Sequence, residues 1–153
     1  MLQSKFKKIF QSKTGQPENQ KIVQVPYEPG DVIEGDLFNN SSTTISLLCF
    51  ISLSCLDCID LLPQLHEVTD QFNGNFSLFV EASNEEIEEI KSHFKFEFPL
   101  YSLKREDLPL KYRVFTTPYA YLIDSSKCVI KGQNVYNSSD LLELGQAKAF
   151  SND

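Results

Sequence analysis

The longest hydrophobic stretch covers residues 45–56 and is interrupted by serines. The segment from Thr44 to Ile51 is apolar at Ile45 and at every position from 47 to 51. A strand exposed on one side would alternate apolar and polar residues, so this run predicts a central strand that is covered on both faces. Phe76 to Val80 repeats the pattern. A membrane-spanning helix needs roughly 20 apolar residues, which exceeds either run. We therefore expect a buried sheet.

Apolar residues at three- and four-residue spacing predict a helix after each of these strands. The first helix runs from about Leu56 to Phe72, and Pro63 inside it predicts a kink because proline lacks the N–H that the helical ladder needs. The second helix follows Ser83, which is paired with Glu86 three residues later as in a capping box. The apolar positions of the two helices are Leu61, Leu62, Leu65, Val68, Phe72, Ile87, Ile90 and Phe94.

The C-terminal part of the pattern predicts a hairpin and a final helix. Tyr119 to Ile123 and Cys128 to Ile130 are the two strands, with Gly132 closing the second, and Ser138 or Ser139 caps the helix. Alternating strands and helices need parallel pairing with crossover helices, whereas a hairpin is antiparallel. The order of elements therefore predicts an α/β fold with a mixed sheet flanked by helices.

Composition limits the class of protein. A chain of 153 residues is most simply one domain, and 41% hydrophobic residues are too many for a disordered chain. The net charge of −7 argues against nucleic acid as a partner, because nucleic-acid binding needs a basic surface. We expect one folded domain over residues 22–148 and a short tail over residues 149–153.

The first 21 residues are predicted to be a basic leader and linker. Residues 1–13 contain four lysines and no acidic residue, and their apolar side chains fall near one helical face. Two interpretations stay open, a short helix in weak contact with an anionic membrane surface and a solvated leader without a partner. Since the leader lacks the pattern of a secretory signal peptide, we expect a cytoplasmic protein, at most peripheral at the inner membrane face.

The motif with the clearest chemistry is Cys55-Leu56-Asp57-Cys58, at the junction of the predicted strand and helix. A helix N-terminus stabilises a thiolate, which is the reactive form of cysteine. Cys58 lies one turn further on and can attack a mixed disulfide formed at Cys55. A redox pair is therefore favoured over its two alternatives, an inert reduced pair and half of a zinc site that would need further ligands such as Cys49 or Cys128.

Three features together resemble the thioredoxin fold, in particular the TlpA/ResA/MauD-like thiol–disulfide oxidoreductases. They are the strand with its cysteine motif over Leu47–Cys58, Pro63 five residues after the second cysteine, and the Thr117-Pro118 pair within Phe115–Asp124. The resemblance covers about residues 30 to 148. It implies a thioredoxin-like fold whose central mixed sheet carries an inserted helix–strand segment, for which Ser83–Phe94 and Phe98–Tyr101 are the candidates.

The resemblance also implies the function, which is thiol–disulfide exchange with a protein or peptide substrate. Cys55 would attack the substrate disulfide and Cys58 would resolve the mixed disulfide. The Thr117-Pro118 bond would be cis and would present the Thr117 backbone to an extended substrate. No metal or organic cofactor is implied, but an external electron donor or acceptor is.

This chain departs from the family pattern at three positions. Ser54 replaces an aromatic residue before the first cysteine, which weakens the expected hydrophobic rim. Cys49 stands where thioredoxins keep a buried acid, so we expect it to be an apolar filler, with proton transfer left to water or to Asp57. Asp57 also disfavours a nearby thiolate by like-charge repulsion, which predicts a pair that leans towards acting as a reductant.

Two other functions remain open on sequence grounds. A non-catalytic binding or maturation protein would keep the fold and tolerate loss of either cysteine. A peroxiredoxin-like peroxidase is less favoured because Ser52 and Leu48 occupy the positions at which those enzymes keep threonine and proline.

Overall fold

The computed structural model describes residues 25–33 and 44–147, and the predicted leader at 1–21 and tail at 149–153 lie outside this range. Within the described residues the chain forms five strands and five α-helices. The strands are β1 (Ser46–Ser52), β2 (Asn75–Glu81), β3 (Leu100–Leu103), β4 (Tyr119–Ile123) and β5 (Val129–Asn134). The helices are α1 (Leu56–Leu61), α2 (Leu65–Gln71), α3 (Asn84–Phe94), α4 (Asp107–Tyr112) and α5 (Ser138–Gly145).

The strands form one mixed sheet in the order β3-β2-β1-β4-β5. β1 pairs in parallel with β2, and β2 pairs in parallel with β3. On its other side β1 pairs with β4 in antiparallel fashion, and β4 continues to β5. All seven residues of β1 are buried, as the continuous apolar run predicts for a central strand. The sequence-based expectation of a mixed sheet is confirmed.

Alternate residues of β1 point into two separate hydrophobic cores, one on each face of the sheet. Leu47 and Ile51 pack into a core that also contains residues of α1, α2 and α5. Leu48 and Phe50 pack on the opposite face, in a core that contains Tyr112 of α4. Burying a side chain of this size contributes about 1.5–3 kcal/mol, so covering both faces fixes β1 at the centre of the fold.

The predicted kink at Pro63 divides the first helix in two. α1 ends at Leu61, a single 3₁₀ turn spans Leu62–Gln64, and α2 begins at Leu65. Proline at the start of that turn does not have to donate a helical hydrogen bond. The break separates the cysteine motif from the longer packing surface of α2.

The capping box predicted at the start of α3 is confirmed. The Ser83 hydroxyl accepts a hydrogen bond from the Glu86 N–H at 3.1 Å, and the Glu86 carboxylate accepts one from the Ser83 N–H at 2.9 Å. α3 and the edge strand β3 occupy the interval that was predicted to hold an inserted helix–strand segment.

Two local predictions were wrong. α5 is capped by Asn137, whose side-chain oxygen accepts from the Asp140 N–H at 2.9 Å, and not by Ser138 or Ser139. β5 does not close at Gly132 but continues to Asn134. Gly132 is needed there because a β-carbon would lie 2.8 Å from the Tyr121 ring of the neighbouring strand. The glycine marks a close approach, not a turn.

None of the helices within residues 25–33 and 44–147 combines the length and the apolar character needed to cross a membrane.

Candidate functional site

Cys55 occupies the junction between β1 and α1. Its backbone is extended, with φ −109° and ψ 118°, and the Ile59 N–H donates to its carbonyl oxygen to start the helix. Its sulfur accepts a hydrogen bond from the Cys58 N–H at 3.2 Å. Cys55 is thus the N-cap of α1, a role in which the side chain binds a backbone donor of the first turn. The cap holds the sulfur in place over that turn.

The two sulfurs of the motif lie next to each other. The Cys58 thiol donates to the Cys55 sulfur, and the two atoms are 2.6 Å apart. Cys55 is partly exposed, whereas Cys58 is fully buried, and none of the four cysteines forms a disulfide. A reagent from solution therefore meets Cys55 first, and the Cys58 sulfur lies within reach of whatever becomes attached to Cys55.

The environment of Cys58 favours the neutral thiol. Burial raises the pKa of Cys58 to about 12, and the hydrogen bond to Cys55 acts in the same direction. Donors on the other side oppose this effect only in part, since the Ser52 N–H donates to the Cys58 sulfur at 3.4 Å and Thr117 adds a side-chain hydrogen bond. Cys58 is therefore a protonated thiol at neutral pH.

The Thr117-Pro118 segment reaches the cysteines because β4 lies beside β1. The antiparallel register pairs Tyr119 with Phe50, so the residues that precede β4 lie beside those that follow β1. The Thr117-Pro118 bond is cis, as the resemblance implies. The Cys55 thiol donates to the Thr117 carbonyl oxygen at 3.6 Å. The structure thus brings together Cys55, Cys58 and the Thr117-Pro118 segment.

Asn134 supports this segment and was not expected from the sequence. Its side-chain amide donates to the Pro118 carbonyl oxygen and to the Thr116 hydroxyl, each at 3.0 Å. Asn134 is the register partner of Tyr119 at the end of β5. A lone asparagine in a strand pattern carries no signal of this role, which depends on strand pairing.

The other residues considered in the sequence analysis are Asp57, Cys49 and Cys128. Asp57 is exposed on α1. Cys49 is fully buried in the same core as Cys58, and burial raises the pKa of its thiol well above the usual range. A thiol held neutral in this way is a poor proton acceptor, which agrees with the expectation of an apolar filler. Cys128 precedes β5 near the end of β4. It lies at the end of the strands opposite to the end that carries the cysteine motif.

A groove of about 500 Å³ opens beside Cys55. Ser52, Ser54 and Thr117 line its cysteine end, and Glu81, Arg105 and Glu106 line it as well. Apolar walls come from the α4 region and from the segment before Thr117, namely Leu108, Pro109, Val114 and Phe115.

Two exposed hydrophobic side chains occur near Cys55 despite the serine at position 54. Leu56 is 82% exposed beside Cys55, and Phe115 is 39% exposed in the groove wall. The expectation that Ser54 weakens the hydrophobic rim was incomplete, because Phe115 comes from a distant part of the sequence and only the tertiary structure places it there.

Among residues 25–33 and 44–147, no group of three or more His, Cys, Asp and Glu side chains is arranged to hold a metal ion.

Comparison with known proteins returns structural matches only, since no family model and no curated protein sequence matches this chain. StoA from Bacillus subtilis superposes with a TM-score of 0.58 at 18% identity, covering 82% of this chain and all of StoA. The thioredoxin domain of a thiol-disulfide oxidoreductase from Bacteroides vulgatus gives a TM-score of 0.62 at 17% identity, covering 76% and 94%.

A third similar structure is a thiol:disulfide interchange protein of the thioredoxin family from Chlorobium tepidum. It has a TM-score of 0.57 and 14% identity, and the match covers 82% of this chain and 95% of that one. At these identities the likeness concerns the fold. The protein therefore has the thioredoxin-like α/β fold that its sequence resemblance implies.

Proposed function

We propose that this protein is a thiol–disulfide oxidoreductase that exchanges disulfides with a protein or peptide substrate through Cys55 and Cys58. The observation that carries the proposal is the pairing of a partly exposed sulfur with a buried one 2.6 Å away, beside the Thr117 carbonyl oxygen. Similar structures described as a thiol:disulfide interchange protein and a thiol-disulfide oxidoreductase support it. An inert packing pair would not need a partly exposed sulfur at the mouth of a groove.

The first step is attack by the Cys55 thiolate on one sulfur of the substrate disulfide. A bond forms between Cys55 and that sulfur, the substrate S–S bond breaks, and the other substrate sulfur leaves as a thiolate. The Cys58 N–H already points at the Cys55 sulfur and remains in place for this step. The greater exposure of Cys55 supports giving it the attacking role, because Cys58 is buried and its raised pKa favours the thiol.

The second step resolves the mixed disulfide. The Cys58 thiol gives up its proton, its sulfur bonds to Cys55, and the second substrate sulfur leaves as a thiolate. Two electrons have then passed from the cysteine pair to the substrate, and the two released thiolates take up two protons. Since Cys49 is itself held neutral, the Cys58 proton passes to solvent or to the departing thiolate. An external dithiol must reduce the Cys55–Cys58 disulfide to complete a reducing cycle.

Thr117 and Pro118 are proposed to hold the substrate backbone next to Cys55. Thr117 lines the groove, and its N–H has no hydrogen-bond acceptor within the described part of the chain. An extended substrate segment can supply that acceptor from its own backbone, as in other cases where a peptide pairs with an open strand edge. The substrate sulfur would then lie against the Cys55 sulfur.

We further propose that the pair leans towards acting as a reductant. The thiolate of Cys58 is disfavoured by burial, and Asp57 adds a negative charge on the same helix. A disulfide whose reduced form lacks a stabilised thiolate is a weaker oxidant.

The proposal is tested by following the reduction of a disulfide-bonded protein by the wild type, Cys55→Ser and Cys58→Ser, with Cys128→Ser as the matched control. We expect the first variant to be inactive, the second to stop after one mixed disulfide, and the control to match the wild type. Undiminished reduction by Cys55→Ser would overturn the proposed function.

A further inference from the structure

The groove beside Cys55 combines an apolar wall with two carboxylates, those of Glu81 and Glu106. Glu81 is the last residue of β2 and pairs in register with Ser52, the last residue of β1. Ser52 lies three residues before Cys55, so strand pairing alone places a carboxylate next to the cysteine junction. Glu106 lines the same groove and is exposed.

The Glu81 carboxylate has capacity for a further donor. Arg105 Nε lies 3.1 Å from Glu81 Oε2, and within the described residues the Glu81 carboxylate makes no other hydrogen bond or ion pair. A carboxylate can accept several hydrogen bonds through its two oxygens. The Glu81 side chain is only 21% exposed, whereas that of Arg105 is 81% exposed. Partial burial strengthens the attraction of Glu81 for a second cation, which Oε1 remains able to accept beside Arg105.

The charges around the groove favour a basic occupant. Two carboxylates and one guanidinium line the groove, and exposed Asp57 and Asp60 add negative charge on α1, the helix that Cys55 caps. Phe115 and Leu56 provide apolar surface near the sulfur. A segment that fits this surface has an apolar residue close to its cysteine and a lysine or arginine a few residues away.

We infer that the groove selects disulfide-bearing protein segments with a basic residue near the reacting cysteine, whose side chain binds between Glu81 and Glu106. This inference rests on the proposed function, since it names the substrate class of the same site. Charge complementarity at such an interface sets specificity and the rate of encounter.

The test uses three synthetic peptides that differ only in the charge near their single cysteine. Each peptide is joined by a disulfide to the same aromatic thiol reporter, and lysine, glutamine or glutamate occupies positions within four residues of the cysteine. The reporter is the better leaving group, so Cys55 of the reduced protein attacks the peptide sulfur, and reporter release in a single turnover measures the second-order rate constant of that attack. We expect the rate constant for the lysine peptide to exceed that for the glutamate peptide by about tenfold at low salt and by less at high salt.

Glu81→Gln and Glu106→Gln identify the source of the preference, and Glu143→Gln on α5 is the control with the same loss of charge. We expect each groove variant to reduce the lysine-to-glutamate ratio at least about threefold, and the control to keep it. Two groove variants are used so that a folding defect in one does not decide the result.

The outcomes separate this inference from the proposed function. Reporter release that depends on Cys55 but is equal for lysine and glutamate peptides overturns the inference and leaves the function standing. A preference for glutamate also overturns it and points to Arg105 as the recognition group. Reporter release from no peptide, or release that persists in Cys55→Ser, overturns the proposed function itself.

Discussion

The Cys55 thiol donates a hydrogen bond to the Thr117 carbonyl oxygen across 3.6 Å, although 62 residues separate them along the chain. The contact exists because β4 pairs with β1 in antiparallel fashion. The segment before β4 and the segment after β1 therefore meet at the same end of the strands. It joins the sulfur proposed to react first to the segment proposed to hold the substrate. We therefore propose that the substrate backbone binds at Thr117 directly beside the sulfur at which the disulfide is exchanged.

The difference between the two sulfurs should be visible in their reactivity. In the reduced protein we expect iodoacetamide to alkylate Cys55 at least about tenfold faster than Cys58, because Cys55 is partly exposed and Cys58 is buried. Peptide mapping by mass spectrometry measures both rates. Faster labelling of Cys58 would contradict the assigned order of attack.

The pH dependence of Cys58 labelling follows from its raised pKa. Burial raises the pKa of Cys58 to about 12 from an ordinary value of 9.0, so its thiolate forms at higher pH than that of a solvent-exposed cysteine. In Cys55→Ser we expect the labelling rate of Cys58 to keep rising between about pH 9 and 11. Labelling of a small cysteine peptide under the same conditions is the control. A plateau at the same pH in both would be inconsistent with the raised pKa.

The charge of Asp57 should influence the reduction potential. Asp57→Asn removes an exposed negative charge near the sulfurs, which stabilises the reduced form and should shift the potential towards oxidising values by about 5–20 mV. Asp60→Asn, on the same helix but beyond the cysteine motif, should shift it less. Equilibration with a glutathione buffer measures both. An unchanged or more reducing potential in Asp57→Asn would exclude a role for this carboxylate.

Cys49 should prove dispensable for exchange. It is buried in the core and its thiol is held neutral, so Cys49→Ala should keep the rate of disulfide reduction within about twofold while lowering the free energy of unfolding by about 1 kcal/mol. Chemical denaturation and the reduction assay test the two parts, with Cys128→Ala for comparison. A large loss of exchange by a folded Cys49→Ala protein would show that this thiol takes part in the chemistry.

Tyr121 of β4 forms a hydrogen bond with the segment 25–33. Its buried hydroxyl donates to the Tyr112 carbonyl oxygen at 2.8 Å and accepts from the Tyr27 N–H at 3.1 Å. Tyr121→Phe leaves those groups unsatisfied and should lower the free energy of unfolding by about 1–2 kcal/mol. Tyr136→Phe, at an exposed tyrosine, should change it little. Equal effects in urea denaturation would contradict the hydrogen-bond assignment.

Local signals in the sequence were sufficient for several elements. The two-faced apolar run predicted β1, Pro63 predicted the break between α1 and α2, and the Ser83–Glu86 pair predicted the start of α3. Each of these features depends on residues that are close along the chain. The cysteine motif also predicted the two sulfurs as neighbours, because one helical turn brings them together.

Features that depend on strand register could not be predicted from the sequence. Gly132 signalled a turn, yet it is required where β5 crosses the Tyr121 ring. Asn134 reaches Pro118 only because β5 pairs with β4. Glu81 lies beside Ser52 only because β2 is paired with β1 in that register. The groove and the charged residues that line it could therefore be identified only from the structure.

Covalent trapping identifies which sulfur, that of Cys55 or that of Cys58, first bonds to a substrate. Cys58→Ser is mixed with a disulfide-bonded peptide, quenched with acid and mapped by mass spectrometry, with Cys55→Ser treated in parallel. We expect a stable mixed disulfide at Cys55 in the first variant and none in the second. A mixed disulfide at Cys49 or Cys128, or equal trapping by both variants, would contradict it.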